Sequence, residues 1–159
     1  MGFSLVFGIS CLFWLVDRGL GRDCTTQSCL TELYNSEVVY AEYYTRPLSF
    51  AESLYSGRRG WFRRTEPSTT IFHHAGVAVT LRNRERWLIH KGLDYGDASS
   101  TVITDANYMS SDWDLVKSGS VSGHTVDDFM RAGLVHRRYF IIGPNCQAAA
   151  NNMWRLVDD

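Results

Sequence analysis

The chain has 159 residues, 45% hydrophobic and 13% aromatic, with a formal net charge of −1. That length supports one core and one domain, and that apolar share excludes a disordered chain. A charge so near zero excludes a global field for nucleic acid, so no nucleic-acid partner is expected, and no internal repeat divides the sequence.

Phe3 to Val16 is nearly all apolar. It is short for a bilayer, which needs about 20 apolar residues, and it has the length of a signal-peptide core. Gly19 and Gly21 suit a signal peptidase. Residues 1–21 are therefore read as a signal peptide and 22–159 as the secreted domain, although Met1 to Ser10 carries no Lys or Arg. The alternative is a retained segment of a cytoplasmic protein. Cys24 and Cys29 are candidates for a small disulfide loop. Cys11 would leave with the leader, and Cys146 would remain as an odd thiol. Four reduced cysteines are the other possibility.

Cys29 to Tyr44 reads as a helix or an irregular aromatic stretch, with Leu30, Leu33, Val38 and Ala41 at loose helical spacing and Pro47 as its end. Ser49 is placed to cap a short helix through Tyr55. Arg58, Arg59, Arg63 and Arg64 surround Trp61 and Phe62, which makes either a surface loop or a patch for an anionic surface. Ile71 to Leu81 alternates as a strand, Arg82 to Glu85 turns, and Arg86 to His90 returns as the second arm of a hairpin. His73 and His74 point to opposite faces, and His74 shares its face with the small residues Gly76 and Ala78. Thr101 to Thr104, Trp113 to Lys117 and Arg138 to Ile142 read as further strands. Thr125 caps a helix that carries Asp127 and Asp128 in its first turn and ends at Gly133. A last helix covers Asn145 to Val157. The sum is an α+β domain with a small antiparallel sheet packed against helices.

Cys146 is placed at the start of that last helix. Unassisted, a thiol has a pKa of about 8.5. Free backbone amides at a helix start and a neighbouring imidazole are the two usual ways of raising its thiolate share. The same amides can hold the oxyanion of a tetrahedral intermediate, with Asn145 and Gln147 as supporting side chains. If the hairpin pairs as read, His74 and His90 approach each other at one end of the sheet. One ring is then a base and the other orients it. A zinc site on Cys146, His74 and His90 has no compact ligand spacing behind it, so no metal or organic cofactor is expected.

Three stretches carry a resemblance: His74-Ala75-Gly76-Val77-Ala78-Val79, then Trp87-Leu88-Ile89-His90, then Asn145-Cys146-Gln147. In this order the chain resembles the circularly permuted papain-like thiol enzymes, the superfamily of lecithin:retinol acyltransferase and the NlpC-type peptidases. The resemblance implies Cys146 as nucleophile, His74 as general base and His90 as the orienting third member. It implies a thioester intermediate in a hydrolase or acyltransferase acting on an amide or ester. Family members commonly carry Glu-His after the Asn-Cys, where this chain has Gln147-Ala148, and the acyltransferases commonly carry a carboxyl-terminal membrane anchor, where this sequence runs to Asp159. These departures favour a secreted amidase or peptidase. A phospholipase/acyltransferase and a non-catalytic binding protein are the alternatives, with peptide, lipid or small-molecule partners accordingly.

Overall fold

A computed structural model of the chain describes residues 24–47, 73–92, 100–140 and 143–158. The expected signal peptide, the short helix near Ala51 and the arginine cluster at Arg58 to Arg64 lie outside the described residues. So do the last two residues of the expected strand at Arg138 to Ile142.

Thr26 caps α1 (Gln27–Asn35), its hydroxyl accepting the Cys29 amide at 3.3 Å. The expected disulfide is present, closing Cys24 onto Cys29 across the start of this helix. The helix then stops. Residues read as its continuation form β1 (Val38–Pro47), an extended strand. Val38, Val39, Tyr40, Tyr43, Tyr44 and Thr45 are β-branched or aromatic, and such side chains fit a pleated surface better than a helix. The helical spacing of Leu33, Val38 and Ala41 is real. It arises because all three are buried in one core from two different elements.

β2 (His73–Leu81) and β3 (Arg86–Lys91) form the expected hairpin, with Arg84 taking positive φ (73°) in its turn. β4 (Thr101–Asp105) and β5 (Asp114–Ser120) complete a five-stranded antiparallel sheet in the order β4-β3-β2-β1-β5. Among the described residues there are two further α-helices, α2 (Val126–Ala132) and α3 (Cys146–Trp154). The capping box of α2 forms as read, with Thr125 and Asp128 reciprocally bonded. Residues 138–140 form no strand. Phe140 N–H instead bonds Pro144 O at 3.1 Å, and Tyr139 N–H bonds Ser100 Oγ at 3.4 Å.

The helices cover one face of the sheet. Ala75, Val77, Val79 and Leu81 of β2, with Trp87 and Ile89 of β3 and Ala41 and Tyr43 of β1, pack against Leu33, Val126, Phe129, Met130, Ala150 and Met153. Each such large aliphatic or Phe side chain contributes about 1.5–3 kcal/mol on burial. The intervening residues His74, Gly76, Ala78, Leu88 and His90 alternate to the opposite face. Lys91 ties the turn after α2 to the sheet. Although fully buried, its ammonium donates to Thr101 Oγ1 at 2.9 Å, to Leu134 O at 3.1 Å and to Arg137 O. Thr101 Oγ1 in turn donates to Gly133 O at 2.9 Å. Burial pushes the Lys91 ammonium below its ordinary pKa, and its hydrogen bonds are what make a cation tolerable there.

Candidate active site

His74 and His90 meet. Gly76 sits directly across from His90 in the β2–β3 register, and its missing side chain is what admits the second ring. A Cβ at position 76 would lie 3.0 Å from His90 Cβ, 3.1 Å from Leu88 Cδ1 and 3.2 Å from Ile89 O. With that space open, His74 Nε2 and His90 Nδ1 approach to 2.9 Å, and both side chains are buried. The rings stand at 75° to each other with centroids 5.2 Å apart. In the tautomer that suits base chemistry, His74 Nε2–H donates to His90 Nδ1. The lone pair of His74 then lies on Nδ1.

Trp113 closes over the pair, its ring centroid 5.4 Å from that of His74 and 6.0 Å from that of His90. The Arg46 guanidinium lies 4.9 Å from the Trp113 ring centroid. Register explains this stack. Arg46 faces His74 across β1–β2, and Asp114, which follows Trp113, faces Thr45 across β1–β5. Burial pushes His74 down to about 3, helped by His90 and the Arg46 charge. Burial and Arg46 push His90 down to about 4. At neutral pH the pair is therefore uncharged.

Cys146 is the first residue of α3, as read. Asn145 is the N-cap, its Oδ1 accepting the Ala148 amide at 2.8 Å, so any donor role for its side chain falls to Nδ2. The Cys146 thiol donates to His73 O at 3.7 Å, and Gln147 Nε2 donates to the same carbonyl at 3.5 Å. The phenols of Tyr139 and Tyr43 are both raised, by burial first and by the neighbouring Cys146 second. Tyr43 also donates to Asn151 Oδ1 at 3.1 Å, which anchors it to α3. Cys146 is 4% exposed. The sulfur is covered, but its near neighbours include a carbonyl, an amide side chain and a phenol.

Two groups thus flank one peptide unit. The thiol lies against the His73 carbonyl from the side of the sheet that carries α3. The His74 ring leaves the next Cα toward the other face and joins His90 there. His73 itself is half-buried, and His136 is exposed. His124 is part-exposed and lies 3.8 Å from Asp128. Neither joins the pair.

Four residues of this region carry no signal as site residues in the sequence. Arg46 and Trp113 are recognisable only once the strand register is known. Tyr139 falls in a stretch that reads as a strand, and Tyr43 falls in one that reads as a helix or an irregular aromatic stretch. Among the described residues no group of three His, Cys, Asp or Glu side chains gathers to hold a metal ion. Among the same residues no helix is long and apolar enough to cross a membrane. No family model, curated protein or solved structure matches this chain.

Proposed function

We propose that the protein is a cysteine-dependent hydrolase or acyltransferase of permuted papain-like design, acting on an amide or ester and most simply a secreted amidase or peptidase. The observation that carries this reading is the buried His74–His90 hydrogen bond of 2.9 Å, one residue along the chain from the carbonyl that receives the Cys146 thiol. The disulfide at Cys24 and Cys29 supports an oxidising compartment.

In the proposed reaction a water relays the thiol proton round the His73–His74 peptide to His74 Nδ1 while Sγ bonds the substrate carbonyl carbon. His90 accepts from His74 Nε2–H and so fixes the orientation of the ring. Backbone amides at the start of α3 receive the oxyanion. The C–N or C–O bond then breaks, and the leaving group departs with the proton from His74. Water or an acceptor hydroxyl or amine attacks the thioester and returns the thiol.

A fluorescent acyl probe tests this reading. The intact chain is expected to be labelled and Cys146→Ala to be silent. His74→Ala is expected to slow labelling by about 10²–10⁴-fold, the usual worth of a general base. An unlabelled intact chain, or equal labelling of Cys146→Ala, overturns it. The 4% exposure of Cys146 favours one second reading, a binding domain of the same fold in which the thiol only packs; that protein would not react with the probe.

A further inference from the structure

We propose that Arg46, seated on the Trp113 ring, is a positioning residue that keeps the His74–His90 pair in its uncharged, mutually hydrogen-bonded form. The use of that pair as a base for Cys146 rests on the function proposed above; the holding of the pair does not.

The geometry builds this from the backbone. Arg46 lies across from His74 in the β1–β2 register. A free arginine on a strand would swing its charge into water, where salt screens it. Here the guanidinium is held 4.9 Å from the Trp113 centroid, and the same indole touches both imidazoles. The cation is thus fixed one ring away from two groups that would each become cations on protonation. Protonating either ring also changes their shared bond, since an imidazolium has donors on both nitrogens and a neutral partner must then supply the acceptor.

The other charged and titratable groups around the pair do not replace Arg46. On the same side of β1 lie Tyr44 and Glu42, and Glu42 is engaged by Arg86 of β3 and by the Tyr44 hydroxyl. Asp114 and Lys117 of β5 alternate to the helix-covered face, where Lys117 lies 4.4 Å from the Trp154 centroid. Cys146 and Tyr139 sit behind the His73–His74 peptide. Among the described residues Arg46 is the cation that bears on both rings.

The test is the titration of the ¹³C-labelled histidine ring signals, followed from neutral pH down to the onset of acid unfolding. In the intact chain the His74 and His90 signals stay flat to about pH 5. In Arg46→Met both midpoints are expected to rise yet stay below the ordinary 6.5, because burial, the larger cause, remains. Arg46→Lys, which keeps the charge, is expected to restore the flat profile. Trp113→Leu, which removes the seat and leaves the arginine, is expected to raise the midpoints as Arg46→Met does, and it serves if Arg46→Met does not fold. Unchanged midpoints in both Arg46→Met and Trp113→Leu overturn the proposal. So does an Arg46→Lys profile identical to that of Arg46→Met, which would trace the effect to packing. The same titration on Cys146→Ser separates the two readings. Arg46 dependence that persists there, beside an intact chain that no acyl probe labels, leaves the holding of the pair standing and removes the thiol chemistry.

Discussion

Acid should unfold this protein earlier than its carboxylates alone would. His74 and His90 have folded midpoints of about 3 and about 4 against an unfolded 6.5. Between those midpoints and 6.5 the unfolded chain binds more protons than the folded one, so stability falls as pH falls through that window. It is fully present above 6.5 and lost by the time the folded midpoints are reached. Taking only the smaller displacement, that of His90, the loss between neutral pH and pH 4 is about 3 kcal/mol. For a domain of ordinary stability, 5–15 kcal/mol, that is a large share. The assay is urea unfolding at a series of pH values for the intact chain and for His74→Gln/His90→Asn. Asp128 is held below the usual carboxylate range by the Thr125 amide, so its contribution goes only as pH falls through that lowered value, beneath this window. The intact chain should lose the extra stability between pH 6.5 and 4, and the double variant should not. Parallel loss in both would refute the reasoning.

Lys91→Ala should cost about 3–5 kcal/mol in urea unfolding, because it strips the donor from buried oxygens that have no water to replace it. Lys91→Met should cost less, since the stem still fills the space and no charge needs solvating; equal costs would mean that the lost hydrogen bonds alone decide and the stem contributes nothing. Gly76→Ala should cost about 1–3 kcal/mol, because its Cβ meets His90 Cβ at 3.0 Å. The same change should raise the histidine ring midpoints by parting the pair, whereas Gly119→Ala, which meets Val157 Cγ1 at 2.6 Å far from the rings, should destabilise without moving them. Asn145→Ala should cost about 1 kcal/mol of stability through loss of the α3 cap, read by thermal unfolding.

The hairpin, the capping box of α2 and the start of α3 are legible in the sequence because each rests on near neighbours. Alternation from His73 to Leu81, Thr125 three residues before Asp128, and Asn145 beside an alanine-rich run are local signals. β1 fails that test. Its aromatic run sits between β2 and β5, and the strand residues that satisfy its backbone come 26 or more residues later in the chain. The meeting of His74 with His90 follows from parity and a short turn, so it can be read. The closure by Trp113 and Arg46 depends on two non-local registers at once, and no spacing in the sequence encodes it. Tyr139 reaches Cys146 by a turn that Lys91 pins from another element, which local pattern cannot reveal either.

Protonation in the resting site has one further consequence for the proposed reaction. The thiol donates to a carbonyl, and the imidazole pair carries no charge. A thiolate–imidazolium pair formed in advance would have to place two ions in a region where both His74 and Cys146 are under 5% exposed, and desolvating such ions costs several kcal/mol each. Arg46 opposes the cationic partner further. The proton therefore moves as sulfur bonds carbon, when the developing oxyanion and the α3 amides supply a place for the negative charge. Acylation of Cys146 by the acyl probe should accordingly slow in D₂O, since the transferring proton is in flight at that step. A site that ionised before substrate arrived would have no such proton left to move, and an unchanged rate in D₂O would rule out the concerted route.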